Sequence, residues 1–275
     1  MMYMKSLYVV ILALALCAGA DARNLVILHL NDTHSHVDPI RSGKYGGMGG
    51  AFEQAMYVDS VRRAEVKRNV LLRHAGDFSQ GTSYFTELEG NIEIDLLNAF
   101  RYDAVCLGKH EFDNGMDELA RRLSSLKMPV LCANYDFSDT PLGRYVRPYS
   151  IIRRSGLKIG IVGLLTDLSA VVDSGIAAQL EFMDPVSTAD RYAEYLKKER
   201  NCDLVICLTH LGYEGEAFTD RMLASSTKFV DIIVGGHSHT KLKSEKYVDN
   251  ADGNDVVVVT DWKWGLTVGE LKVRL

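Results

Sequence analysis

The sequence predicts one mixed α/β domain. Three observations lead there. Apolar runs of strand length alternate with stretches of helical period, and no segment rich in Pro, Gly or Ser divides the chain. All eight histidines fall in a predicted strand or just past its carboxyl end, and none in a predicted helix. Open α/β sheets bind ligands outside the carboxyl ends of their strands. A random scatter would have put some histidines on solvated helix faces.

Taken in order, the apolar runs read as buried strands: Leu25–Leu30, Val70–Arg73, Ala104–Leu107, Val130–Cys132, Lys158–Leu164, Leu204–Leu208, Ile232–Val234 and Val256–Thr260. Helices are expected between them. One is Gly49–Lys67, with Phe52, Ala55, Met56 and Val58 as its apolar stripe, and another is Asn91–Phe100, with Ile92, Ile94, Leu96 and Leu97. Met116–Leu126 and Val186–Arg200 follow, the latter closed by basic residues that suit a helix C-terminus. Arg153-Arg154-Ser155-Gly156 between two strand-like runs signals a hairpin, and Leu266–Leu275 reads as a final strand.

Composition narrows the function. The 275 residues are 47% hydrophobic and 24% charged with 5 Pro, which excludes disorder, collagen and coiled coil and leaves enough chain for a sizeable core. A net charge of −5 without a Lys/Arg cluster argues against a nucleic-acid polymer, which needs a basic surface. A small anion remains compatible, through local metals or dipoles. At the N-terminus Lys5, the apolar run Leu7–Ala18 and Ala20-Asp21-Ala22 have the three parts of a secretory signal peptide over residues 1–22. That run of 12 residues is short for a membrane span, and no other candidate follows. Export to the periplasm or beyond is expected, with residues 23–275 as the mature domain. Lipid anchoring through Cys17 is the weaker alternative, because Leu16 is bulkier than the residue such a site prefers. Cys106, Cys132, Cys202 and Cys207 lie in or beside apolar runs without a C-x-x-C, and read as buried small hydrophobes.

Five short segments carry the chemistry, each after an apolar run: Asn31-Asp32-Thr33-His34, Gly76-Asp77, Gly108-Lys109-His110-Glu111-Phe112-Asp113, Thr209-His210 and Gly235-Gly236-His237-Ser238-His239. In extended chain the i and i+2 members of Asp32/His34 and His237/His239 would point to one side. A carboxylate such as Asp77 can bridge two ions. Singly, each segment is an ordinary turn or a structural histidine. Five Asp/His groups at strand ends form a donor set for Zn, Mn, Fe, Co or a similar ion, with no thiolate. His29, His36 and His74 read as neighbours of that set.

In this order the segments resemble the calcineurin-like metallophosphoesterases, and more closely the bacterial exported 5′-nucleotidase/UDP-sugar hydrolase family, from about Leu25 to the final residue. The resemblance implies a four-layer αββα sandwich of two mixed sheets. It implies one or two divalent ions (Zn, Mn, Co, Fe, Mg or Ca), one held by Asp32, His34, Asp77 and His239, the other by Asp77, His210 and His237. It implies hydrolysis of a small phosphate ester, such as a 5′-nucleotide, by in-line attack of a metal-bound water. His110, oriented by Asp113, would stabilise the transition state.

Two departures stand out. Lys109 occupies a position where the family has an Asn ligand, and an ammonium has three donors and no acceptor. It can ligate only after losing its proton, or exclude the second ion, or swing aside and leave room for water. The family's C-terminal domain, which contacts the nucleotide, is not expected within this chain. A separate chain could supply it, and without it a catalytically impaired module is the alternative reading. N-terminal sequencing of the exported protein should begin at Arg23 or within a few residues of it; a cytoplasmic protein that retains Met1 would disprove export.

Overall fold

A strand whose residues are apolar on both faces is stable only where both faces are covered, and the apolar runs duly form the central strands. The computed structural model describes residues 10–11 and 24–274 except Glu216. The predicted signal peptide therefore lies outside the described residues apart from Val10–Ile11. In chain order the strands are β1 (Val10–Ile11), β2 (Asn24–Leu30), β3 (Val70–His74), β4 (Ala104–Cys106), β5 (Val130–Leu131), β6 (Tyr135–Asp136), β7 (Val146–Arg147) and β8 (Tyr149–Arg154). Next come β9 (Leu157–Leu165), β10 (Glu181–Phe182), β11 (Leu204–His210), β12 (Ile232–Gly235), β13 (Lys246–Asp249), β14 (Asp255–Thr260) and β15 (Gly269–Arg274). The helices are α1 (Ala51–Ala64), α2 (Ser83–Leu88), α3 (Asn91–Phe100), α4 (Met116–Leu123), α5 (Ser174–Ala177), α6 (Pro185–Lys198) and α7 (Asp220–Ser226).

Among the described residues two large mixed sheets form, ordered β1-β15-β2-β3-β4-β5-β7 and β13-β14-β12-β11-β9-β8, with a small β10-β6 pair beside them. Strand alternation decides what lies where. Ile27, Leu71 and Cys106 of the first sheet meet Ile159, Ile161, Ile206, Leu208 and Val234 of the second in a core between the sheets. The opposite face of the first sheet, Val26, Leu28, Leu72 and Val105, packs against α1, α3 and α4 through Val58, Leu97 and Leu119. The opposite face of the second, Val162, Val205 and Ile233, is covered by Ala189, Ala193 and Leu196 of α6 and Leu223 of α7. The result is the expected α/β/β/α sandwich.

The hairpin forms as the sequence indicates, with β8 antiparallel to β9 and Ser155 and Gly156 both at positive φ in the turn. Among the described residues Cys106, Cys132, Cys202 and Cys207 are buried and free. One expectation is corrected. α1 buries Ala51, Gln54, Val58 and Val61, while Phe52 and Met56 are 71% and 57% exposed. The inward stripe keeps helical spacing but contains Gln54, whose amide donates to the Gly265 carbonyl at 3.2 Å, so polarity hid the true face. Among the described residues no helix is long and apolar enough to cross a membrane.

At the start of α7, Asp220 is wholly buried and accepts a hydrogen bond from Thr209. Burial pushes its pKa up to about 7, against a smaller opposing effect of Thr209. The folded state thus binds this proton more tightly than the unfolded state, so the contribution of Asp220 to stability is fully present below the ordinary carboxylate range and is lost as pH rises through 7. Asp220→Asn should flatten that dependence, narrowing the stability difference between pH 5 and pH 8 by roughly 3 kcal/mol. Urea midpoints of both proteins at the two pH values measure it; parallel profiles would refute the assignment.

Candidate metal centre

The five segments converge at the carboxyl ends of β2, β3 and β4 in one sheet and β11 and β12 in the other. Two groups of three donors result, Asp32/His34/His239 and Asp77/His210/His237, the donor atoms of each lying within 4.8 Å of one another. A third group, His34/Asp77/His110, overlaps both. His34 Nε2 and His239 Nε2 are 3.0 Å apart, and His239 Nε2 lies 3.3 Å from Asp32 Oδ1. On the other side His210 Nε2 is 3.0 Å from Asp77 Oδ2. Two ligands bonded to one ion at about 2.0–2.1 Å stand roughly 3 Å apart. His110 Nδ1 meets Asp113 Oδ2 at 2.9 Å at the rim, where the imidazole keeps partial exposure.

The residues fit a divalent ion on an independent count. Asp32 Oδ1 and His237 Nδ1 are buried without a hydrogen-bond partner, and Asp77 Oδ2 and His210 Nε2, equally buried, are left to one another at 3.0 Å. Leaving such atoms unsatisfied is costly, and His210 Nε2 also lies 3.9 Å from Asp32 Oδ1. Protonation states agree. Burial brings His34 and His237 down to about 4, leaving neutral imidazoles with a free lone pair. Burial would also lower His210, but Asp77 and Asp32 outweigh it and hold it at about 9. A proton and a cation would thus compete for the same His210 lone pair. Burial acts to raise both carboxyls, yet the imidazoles around Asp32 and Asp77 keep them below the usual range.

Residues 25–241 match the family profile described as calcineurin-like phosphoesterase. The chain belongs to the calcineurin-like phosphoesterases. It is 34% identical to human 5′-nucleotidase over 287 residues, covering 96% of this chain and 48% of that protein. It is 32% identical to the probable 5′-nucleotidase of Treponema pallidum, covering 95% of this chain and 47% of that one. The crystal structure of a 5′-nucleotidase precursor from Thermus thermophilus superposes with a TM-score of 0.82 at 34% identity, over 90% of this chain and 51% of that one. The chain spans about half the length of these relatives.

In this chain the donors are not aimed by strand alternation, as the i, i+2 spacing suggested. Asp32, His34, Asp77, His237 and His239 all lie past strand ends with φ between 49° and 76°. A left-handed residue costs about 1–2 kcal/mol when it is not Gly. The neighbouring loops hold them there. Asn31 Nδ2 donates to Asp32 Oδ2 at 2.6 Å and to the Trp262 carbonyl at 2.8 Å, while the His237 amide donates to the same Asp32 oxygen at 2.9 Å. Gly76, at φ +82°, has no room for a side chain, since a Cβ would come within 2.7 Å of both Gly108 N and His210 Nδ1. Of the histidines read as neighbours, His74 contacts the Thr33 hydroxyl at 3.0 Å, and His36 stacks on Trp264.

Glu111 is the functional residue that sequence reasoning left without a role. Wholly buried, it accepts from the amides of Asp77 and Ser79 at 3.0 Å each and of Gly108 at 2.6 Å. Burial and then Asp77 push its pKa up to about 7, and the amides act against them. Glu111→Gln keeps the shape but turns an NH2 group towards amide donors. It should destabilise the fold by at least about 2 kcal/mol. Chemical denaturation of the metal-free protein measures this, and an unchanged midpoint would show that the three amides do not depend on the carboxylate.

Proposed function

We propose that this chain is an exported, metal-dependent phosphoesterase that hydrolyses phosphate monoesters, with 5′-nucleotides as the substrate class. The observation that carries the reading is the pair of donor groups with orphaned buried atoms facing one space, next to the His110–Asp113 pair. Asp32, His34 and His239 would hold one ion and Asp77, His210 and His237 would face the other position. Bound ions supply charge neutralisation for the phosphate oxygens and an activated nucleophile. The remaining work falls to the chain. Asp113 fixes the His110 ring through Nδ1, so that Nε2 is the nitrogen left to meet the ester. Burial works against the His110 proton, but Asp113 and Asp77 overcome it and the pKa rises. His110 is thereby suited to hold a proton for the departing oxygen. The 5′-nucleotidases among the relatives support the nucleotide class, and the part of their length beyond this match fits a separate nucleotide-contacting domain.

A second reading, a metal- and phosphate-binding module of low activity that works with a partner chain, is favoured by Lys109, whose Nζ lies 3.9 Å from Asp77 Oδ2. Turnover separates the two. The chain supplied with Mn2+ should hydrolyse AMP and an aryl phosphate, lose that activity in EDTA, and lose about 10²–10⁴ of kcat in His110→Ala. Activity indifferent to both treatments would refute the mechanism, and no turnover by a metal-loaded chain would favour the module.

A further inference from the structure

The two donor groups differ in charge. Among the described residues the ion-pair partners of Asp32 are His34, His210 and His239. Asp77 has imidazole partners too, but it also has Lys109, at 3.9 Å from Oδ2. The Lys109 charge also acts on His237, the third donor of the Asp77 group. The lysine backbone cannot move away freely. The amide before it, Gly108, is held by Glu111 at 2.6 Å, and the amide after it, His110, by Asp77 Oδ1 at 3.0 Å. An ammonium has no lone pair to offer an ion, and within a few ångströms it repels a divalent cation strongly in a poorly solvated site. The Asp77 group therefore carries a built-in positive charge that the Asp32 group lacks.

We propose that the chain holds one divalent ion tightly, at Asp32, His34 and His239, and that the Lys109 ammonium stands in for a second ion at Asp77, His210 and His237. This rests on the metal-centre reading above. A phosphate ester entering the site would then meet one ion and one ammonium, so that Lys109 is also a direct electrostatic partner for its oxygens.

Equilibrium dialysis of the full chain against Mn2+, followed by elemental analysis and electron paramagnetic resonance, tests the proposal without recourse to activity. The wild type should retain one ion per chain with the spectrum of an isolated Mn2+. Lys109→Asn, which removes the charge and offers an oxygen, should bind a second ion at least about a hundredfold more tightly than the wild type and show a spin-coupled pair. Lys109→Met, neutral and of similar length, should gain in the same direction, and circular dichroism of both variants reports folding. His239→Ala should lose the single tight ion. Two ions of comparable affinity in the wild type, or one ion in every folded Lys109 variant, would overturn this proposal and leave the metal centre standing. No ion retained by the wild type would overturn the metal centre and this proposal with it.

Discussion

The centre depends on one buried carboxylate that takes no part in it. Glu111 gathers the amides of Asp77, Ser79 and Gly108, and so joins the loop after β3 to the loop after β4. Arg122 repeats the link from α4, donating to the Glu111 carbonyl at 2.8 Å and to the Ser79 hydroxyl at 3.2 Å. The two loops then approach until a side chain at Gly76 or Gly108 would overlap the other loop. Asp77 can therefore point one carboxylate oxygen at the His110 amide and leave the other for the site. A hydrogen-bond network in low dielectric gains from each satisfied member and is costly when one is missing. The geometry of two donor-bearing loops thus rests on a residue that no ligand count would include.

Backbone strain explains why donors and turns coincide. Five of the six proposed ligands occupy left-handed backbone just past a strand. Asp and His are among the few non-glycine residues that visit this region with any frequency. The same side chains therefore satisfy two demands, ligation and a sharp change of chain direction. Strained positions gather at functional sites where their surroundings over-determine them, and the bonds to Asp32 from Asn31 and the His237 amide, with Asn31 itself held by the Trp262 carbonyl, supply that support.

Much of this was legible because uniform apolar runs have few alternatives. Each predicted central strand is present, with ends within two residues of those read from the chain, and α3 runs from Asn91 to Phe100 as expected. That the Asp and His side chains of the five segments would gather at one place was legible because polar groups directly after buried strands have few structural reasons to be there. What escaped had weaker signals. α2 and α7 are short and take their stability from packing, not from a long stripe. The buried face of α1 includes Gln54 and the exposed face Phe52, so a count of apolar residues pointed the helix the wrong way. The left-handed turns at Asp32 and His237 reproduce what extended i, i+2 alternation would do, so the spacing pointed to the right residues through the wrong geometry. Glu111 and Asn31 act on backbone amides and carbonyls from loops distant in sequence, and nothing in the spacing of side chains records those partners.

The sandwich itself sets the donor spacing. Asp32, His34, Asp77 and His110 come from loops of the first sheet; His210, His237 and His239 come from the second. The closest donor contacts, His34 with His239 and Asp77 with His210, both cross between the sheets at 3.0 Å. The ring of His210 is also turned by a bond across that boundary, from Nδ1 to the Ala75 carbonyl at 2.7 Å. A metal tolerates only a few tenths of an ångström in its bond lengths. For these residues to hold an ion, the distance between the sheets would have to be kept to that tolerance, and the close-packed Ile, Leu and Val core beneath the loops is placed to keep it. The inter-sheet core is what allows residues far apart in the chain to act as one site, and the order of the motifs along the sequence follows from the order in which the strands of the two sheets are laid down.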